Sequence, residues 1–373
     1  MAKTKYQVKQ FTISPADEKK QTYLDIYNTI RDKREMATAE HPDSEAVEEY
    51  FNELKRKNII TKRAAGEGAY EINAGRAKLA GVGFSADDCT ISLTDLSGKL
   101  ISKESFKVDA LHHIKGKNKD IKHIVAEITE KSSLAGEGCS FTAVAVPTKM
   151  MELNPKSADI LAKGINELFA CDGFIVPEAT AAGYAEKTSK EKLRNREILY
   201  LHSDIGVGVV IKGESIYEAK DASNGNHEEY LRPWGQFDIV STAVSLVSKG
   251  VGTDIVKMVD GDVDSITLPL VLDAAEKGDE LAQDLTKRTA LALGVRLAYL
   301  INMFGVKTAV LGGGTETATG KFMEYVSESS GKFLLENTGK ELEVLPASLG
   351  KEASSLGAAG LIRREIFTEV LEV

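Results

Sequence analysis

From residue 79 onward, short apolar runs at strand spacing alternate with longer stretches whose apolar residues recur every three or four positions, and this alternation narrows the fold most. Strands interleaved with helices bury both faces of a largely parallel sheet, which is the α/β class. Strands are predicted at Leu79–Phe84, Cys89–Thr94, Leu100–Phe106, Phe141–Val146, Ile198–His202 and Val207–Lys212. Helices are predicted near Lys119–Lys131, Ser157–Phe169 and Ala179–Glu186. Within the first pair of strands, Val82, Phe84, Ile91 and Leu93 alternate with smaller residues, and Leu96-Ser97-Gly98-Lys99 supplies a glycine-bearing turn. A nearly all-helical stretch from Leu268 to Phe304, broken around Gly278, leads into Thr308-Ala309-Val310-Leu311-Gly312-Gly313-Gly314, a buried strand ending in glycines.

The first 75 residues follow a different pattern. Ser14-Pro15-Ala16-Asp17 is a helix start, and Tyr23, Ile26, Tyr27 and Ile30 then give one apolar face. A second helix, capped by Asp43 or Ser44, carries Val47, Tyr50, Phe51 and Leu54 on one stripe. The runs at 59–63 and 69–72, joined by Ala64-Ala65-Gly66-Glu67-Gly68, read as a hairpin. Helix, short segment, helix and hairpin is the order of a winged helix-turn-helix, with Glu35–Pro42 standing where its first motif helix belongs. The reading helix, Ser44 to about Lys57, presents Glu45, Glu48, Glu49, Asn52 and Glu53 outward, a face that repels phosphate. The candidate DNA contacts are therefore Lys55, Arg56 and Lys57 at its end and Lys62 and Arg63 at the start of the wing.

A net charge of −9 requires any nucleic-acid contact to come from such a local basic patch. The charge run at Lys187–Arg196 reads as a solvated helix or loop between lobes. The sequence offers no eighteen-residue apolar run and no export leader, so a cytoplasmic protein with no membrane partner is expected. Cys89, Cys139 and Cys171 are too few and too scattered for a disulfide framework or a zinc knuckle.

Four motifs carry a resemblance. They are Glu178-Ala179-Thr180-Ala181-Ala182 with Glu186, Ile205-Gly206-Val207-Gly208 with Gly213, the glycine strand ending at Gly314, and Ser348-Leu349-Gly350 with Gly357-Ala358-Ala359. In this order and spacing the chain resembles the ROK family of bacterial sugar kinases and sugar-responsive repressors. The resemblance implies two ribonuclease-H-like lobes of the actin and hexokinase type behind the winged helix. The expected division is 1–75, then 76–186 completed by about 355–373, with 187–354 as the second lobe. It makes Gly206, Gly208, Gly312, Gly313 and Gly314 nucleotide-side candidates, and Glu178, Thr180, Asn226, His227 and Glu229 ligand-side candidates.

The departures from the family pattern decide what activity to expect. Gly83 stands for the Asp of the first phosphate strand, Ser85 and Ala86 for its glycine pair and Asp87 for its Thr, while Asp204 brings a second negative charge to a phosphate hairpin. A Cβ there hinders the approach of backbone amides, and the carboxylates repel polyphosphate. Glu178 replaces the Asp that serves as base, and Pro177 replaces an Asn. Asn226 and Glu229 replace the Glu and the zinc-binding His of the sugar motif, and no cysteine cluster follows, so no zinc site is expected. The resulting expectation is a non-catalytic, homo-oligomeric transcriptional regulator with DNA and a sugar or sugar phosphate as partners. The alternatives are a sugar kinase using ATP and magnesium, and a binding or assembly protein that has lost DNA contact.

Overall fold

The protein is seen in a computed structural model that describes residues 6–11, 18–33, 36–37, 45–63, 69–85, 88–108, 118–147, 156–202, 207–212, 215–218, 239–313, 315, 320–335, 342–369 and 371. The chain divides into two compact units. One comprises Met1–Ala185, Glu214–Ile216 and Lys351–Val373, and the other Glu186–Gly213 and Tyr217–Gly350.

The first unit opens with β1 (Val8–Gln10), α1 (Glu18–Lys33), β2 (Met36–Ala37), α2 (Glu45–Arg56) and the hairpin β3 (Ile60–Lys62) and β4 (Ala69–Ile72). The apolar stripes predicted for α1 and α2 are buried: Tyr23, Ile26, Tyr27 and Ile30, with Val47, Tyr50, Phe51 and Leu54. Tyr23 and Tyr50 stack at 3.7 Å between ring centroids. Met36 and Ala37 correct the expectation of a motif helix over Glu35–Pro42 at those two positions, the other residues of that segment lying outside the described ones. The two pair with Tyr70 and Ala69 as an edge strand of a three-stranded sheet ordered β2-β4-β3. So short a segment gains more from ladder bonds than from an isolated helical turn.

The body of this unit contains β5 (Lys78–Ser85), β6 (Asp88–Asp95), β7 (Leu100–Lys107), α3 (Asn118–Lys131), β8 (Phe141–Val146), α4 (Ser157–Phe169), β9 (Asp172–Pro177) and α5 (Glu178–Ser189). Its six-stranded sheet runs β1-β9-β8-β5-β6-β7. The first four of these strands are mutually parallel, and the β5–β6–β7 meander is antiparallel. Strand period 2 sorts the two faces of β5. Ala80, Val82 and Phe84 join a core with Ile121, Ile124 and Ile128 of α3 and Leu161, Ala162 and Ile165 of α4. The intervening positions are Gly81 and Gly83.

The second unit contains the short helix α6 (Glu191–Arg194), β10 (Ile198–His202), β11 (Val207–Lys212), α7 (Ile239–Ser248), α8 (Ile255–Met258), α9 (Leu268–Glu276), α10 (Glu280–Phe304), β13 (Thr308–Gly312), α11 (Lys321–Phe333) and β14 (Glu343–Pro346). With β12 (Ser215–Glu218), its sheet runs β12-β11-β10-β13-β14. The predicted break near Gly278 is the α9–α10 turn, where Gly278 has φ +98° and the Asp279 carboxylate caps α10 by accepting from the Ala282 amide at 2.8 Å. Leu199, Leu201, Ala309 and Leu311 meet Leu293, Leu297 and Ile301 of α10 in the core. The charge run at Lys187–Arg196 is not simply solvated. Lys187 is buried, and its ammonium donates to the carbonyls of Arg194 and Arg196 at 2.8 and 2.6 Å, tying the turn back onto the end of α5.

The chain closes with α12 (Ala353–Thr368), which belongs to the first unit. Its first turn lies against β5. A Cβ on Gly81 would sit 1.9 Å from the Ser355 carbonyl oxygen, and one on Gly83 would sit 2.6 Å from the Ser355 amide nitrogen. The Ser92 and Ser355 hydroxyls are 2.8 Å apart. Its last turns carry the amino-terminal helices. The buried Arg363 Nε donates to Tyr27 Oη at 2.7 Å, Tyr50 Oη donates to the Phe367 carbonyl at 2.8 Å, and the Tyr27 and Phe367 rings lie 4.6 Å apart.

Candidate functional site

In α/β sheets, ligands bind beyond the carboxyl ends of parallel strands. In the first unit that edge brings together Ser85 at the end of β5, Pro147 after β8 and Glu178 after β9, since Val82 pairs with Val144 and Val146 with Pro177. Glu178 is the first residue of α5 and is 8% exposed, and Thr180 two positions further along is fully buried. Both ligand-side candidates on α5 are thus set by a strand end and a helix start at the expected edge. Gly357 of α12 reaches this helix so closely that a Cβ would stand 1.7 Å from the Ala181 carbonyl oxygen. Two of the four sequence motifs therefore meet through bare glycine backbone.

The contact between Gly83 and α12 gives a physical setting to the glycine that stands where the resemblance implies a carboxylate. Every side chain begins with Cβ, and at position 83 that atom would lie 2.8 Å from Ser354 Cβ as well as 2.6 Å from the Ser355 nitrogen. A carboxylate at this position requires the first turn of α12 to move, so this strand end does not fit a metal-holding Asp as the helix stands. Ala86 and Asp87 lie outside the described residues.

In the second unit the corresponding edge holds His202 and Gly312, which pair across β10 and β13, with Gly208 opposite Leu201. The His202 ring fills the space beside Gly313: a Cβ there would stand 2.1 Å from Nδ1, and Gly313 has φ +70°. Burial lowers the imidazole to about 4, so it is neutral near pH 7. A Cβ on Gly312 would meet the Tyr200 hydroxyl at 2.2 Å. These two glycines are thus required by packing from β10, whatever else approaches them. Gly206, Gly314, Asp204 and the sugar-side candidates Asn226, His227 and Glu229 lie outside the described residues.

Glu186 has a role that its place in a motif did not specify. Fully buried, its carboxylate accepts from the Ser348 and Leu349 amides at 2.6 and 2.8 Å and from the Ser348 hydroxyl at 3.1 Å. The same two motifs are thereby joined a second time, by charge-assisted bonds. No local sequence signal reveals a pairing over so long a separation.

Of the candidate DNA contacts, the three at the end of α2 are partly engaged. Lys55 Nζ lies 5.1 Å from the Tyr70 ring centroid, and Arg56 and Lys57 stand 3.7 and 3.6 Å from the Glu53 carboxylate. Arg56, Lys62 and Arg63 are exposed. Glu48, Glu49 and Asn52 are exposed as predicted, so the outer face of α2 is acidic and its basic residues gather toward the wing. Of the thiols, Cys89 and Cys171 are buried and Cys139 is half-buried. Burial raises all three, Cys139 to about 11 and Cys171 to about 12. No described helix is long and apolar enough to cross a membrane.

Residues 250–365 match the ROK family model. The xylose repressor of Bacillus spizizenii is 21% identical over 344 residues, covering 85% of this chain and 86% of the repressor. Among solved structures, a ROK family transcriptional regulator homologous to the E. coli MLC protein superposes with a TM-score of 0.65 at 15% identity, covering 94% of this chain and 97% of that one. A ROK family glucokinase from Streptomyces griseus, in complex with glucose and AMPPNP, superposes with a TM-score of 0.55 at 18% identity, covering 76% of this chain and 98% of that one.

Proposed function

From the premise that this is a ROK-family chain of the repressor-like kind, we infer that it is a DNA-binding regulator that answers to a sugar-type effector and does not transfer phosphate. The observation that carries this reading is the amino-terminal module of α1, β2, α2 and the β3–β4 hairpin, docked on α12 by Tyr27 and Tyr50. A module held at that precision positions whatever it contacts. Lys62 and Arg63 on the wing, with Arg56, are the cations it offers to phosphates. Likeness to the regulator extends over 94% of the chain against 76% for the glucokinase, which supports the same assignment.

Loss of catalysis is supported by Gly83. A kinase holds its metal by a carboxylate near the phosphates and positions nucleophile and base to within fractions of an ångström. Here the first turn of α12 takes the room that carboxylate needs, and Glu178 is one methylene longer than the Asp it replaces.

Gel retardation with the DNA upstream of the chain's own gene, at low salt, tests the reading. Retardation that weakens as salt rises and falls in a Lys62→Ala/Arg63→Ala variant is expected, and no retardation at micromolar protein would refute it. Coupled ATP turnover over hexoses and N-acetylhexosamines should stay at background, and turnover with any of them would restore the kinase reading. The acidic outer face of α2 favours one second reading, a module that contacts a basic protein surface. In that case DNA retardation is absent while the docking on α12 persists.

A further inference from the structure

The first unit contains a cavity of about 400 Å³ at the seam between the amino-terminal module and the body, lined by none of the strand-end residues discussed above. Lys9 and Gln10 of β1, Lys20 and Leu24 of α1, Phe174 of β9 and the last turns of α12 line it. The volume suits a small metabolite. Its walls mix charge, amide, hydroxyl and apolar surface. Three cations, Lys9, Lys20 and Arg364, face Glu365 and Glu369, with Gln10 and Thr368 among them and Leu24 and Phe174 as the apolar sides. Arg364 is only 7% exposed and Phe174 5%, so a deep guanidinium and an aromatic ring belong to the same hollow.

We propose that this seam cavity binds a small polyhydroxylated phosphate ester, its phosphate toward Lys9, Lys20 and Arg364 and its hydroxyls toward Glu365, Gln10 and Thr368. The proposal rests on the regulator reading for its consequence, since it names an effector and where that effector acts. The side-chain chemistry is of two kinds. Guanidinium and ammonium groups recognise phosphate oxygens. Carboxylate and amide groups beside an aromatic face are what a ring of hydroxyls requires, each polar group satisfying a donor or acceptor that would otherwise be stranded. The present pairing is compact: Lys20 bridges to Glu369, and Arg364 Nη1 stands 3.4 Å from Glu365. An entering phosphate competes with those carboxylates, and burial already raises the Glu365 carboxyl, with Arg364 opposing and Glu369 adding to the rise.

Position gives the ligand its effect. Lys20 belongs to α1, Lys9 to the edge strand and Arg364 to the helix that anchors Tyr27 and Tyr50. A phosphate held by all three ties the first helix of the amino-terminal module to the body through a new bridge, so ligand and module orientation become linked.

Calorimetry on the full chain, without DNA, with glucose 6-phosphate, glucose and inorganic phosphate as probes, tests the proposal. Glucose 6-phosphate should bind more tightly than inorganic phosphate. Reversing the exposed Lys9 in K9E should weaken the ester by about tenfold, and removing a repelling charge in E369Q should tighten it by about threefold. Any glucose binding elsewhere in the chain should be indifferent to both changes. No heat from the ester up to about 1 mM, equal affinity for ester and inorganic phosphate, or an ester affinity unmoved by K9E and E369Q would each overturn it. Because DNA is absent, failure here leaves the regulator reading standing, and failure of gel retardation leaves the cavity standing.

Discussion

Substituting Gly83 by Ala isolates the steric claim on which the proposed loss of catalysis rests. The added methyl carbon would lie 2.6 Å from the Ser355 nitrogen, 2.8 Å from Ser354 Cβ and 3.0 Å from the Ser354 carbonyl carbon. Ordinary contact begins at 3.4 Å, so the first turn of α12 has to retreat by roughly 0.8 Å. It is not free to slide, because Arg363 and Phe367 are bound to Tyr27 and Tyr50 at the other end. Overpacking of this kind costs about 1–3 kcal/mol. For a unit of about two hundred residues each kcal/mol lowers Tm by roughly 2–4 °C, giving an expected fall of about 2–12 °C. Gly75→Ala is the control, since nothing stands within 4 Å of its Cβ, and it should melt with the parent or slightly above. Gly83→Asp, which restores the family's carboxylate, should fall further than Ala, and calorimetry should find no gain in ATP–magnesium binding. Thermal unfolding followed by circular dichroism reads all three. If Gly83→Ala melts with the parent, α12 does not press on β5 and the steric argument fails.

Tyr27→Phe removes the acceptor of the buried Arg363 Nε and should cost about 1–3 kcal/mol in urea unfolding, with faster amide exchange in α1; a change below about 0.5 kcal/mol would refute the latch. His202 gives a pH signature. Its imidazole titrates at about 4 when folded against an unfolded value of 6.5, so between those values the unfolded chain takes up a proton that the folded one refuses. Stability is therefore lost as pH falls through 6.5, by about 2 kcal/mol between pH 7 and pH 5. His202→Gln should remove that part of the slope in denaturant melts, and an unchanged slope would refute the burial argument.

The parts of the fold that the sequence displays are those where one residue type suffices to fix local geometry. Val82, Phe84, Ile91 and Leu93 face a core, and their alternation says so. The stripes of α1 and α2 are equally plain. β9 was not legible, because Gly173 and Pro177 bracket three apolar residues in what reads as a loop, and only its parallel neighbours β1 and β8 make a strand of it. Lys187 looked solvated because charge usually is; two carbonyls seven and nine residues later make its burial tolerable. The candidate site shows the same division. Gly312 and Gly313 fall at the end of the strand read from their motif, and Glu178 opens the helix read beside it, whereas the reasons Gly83 and Gly313 lack side chains, a helix some 270 residues downstream and a histidine on the neighbouring strand, are facts of packing.

The union of Tyr27 with Arg363 and of Tyr50 with Phe367 spans 336 and 317 positions of the chain. A ribosome adding about 5–20 residues each second therefore leaves the earliest-made helices waiting roughly 15 to 70 seconds for the segment that will clasp them. During that interval their aromatic stripe is open to chaperones and proteases, and a chain broken off before Arg363 would lack both partners, leaving its beginning without a berth.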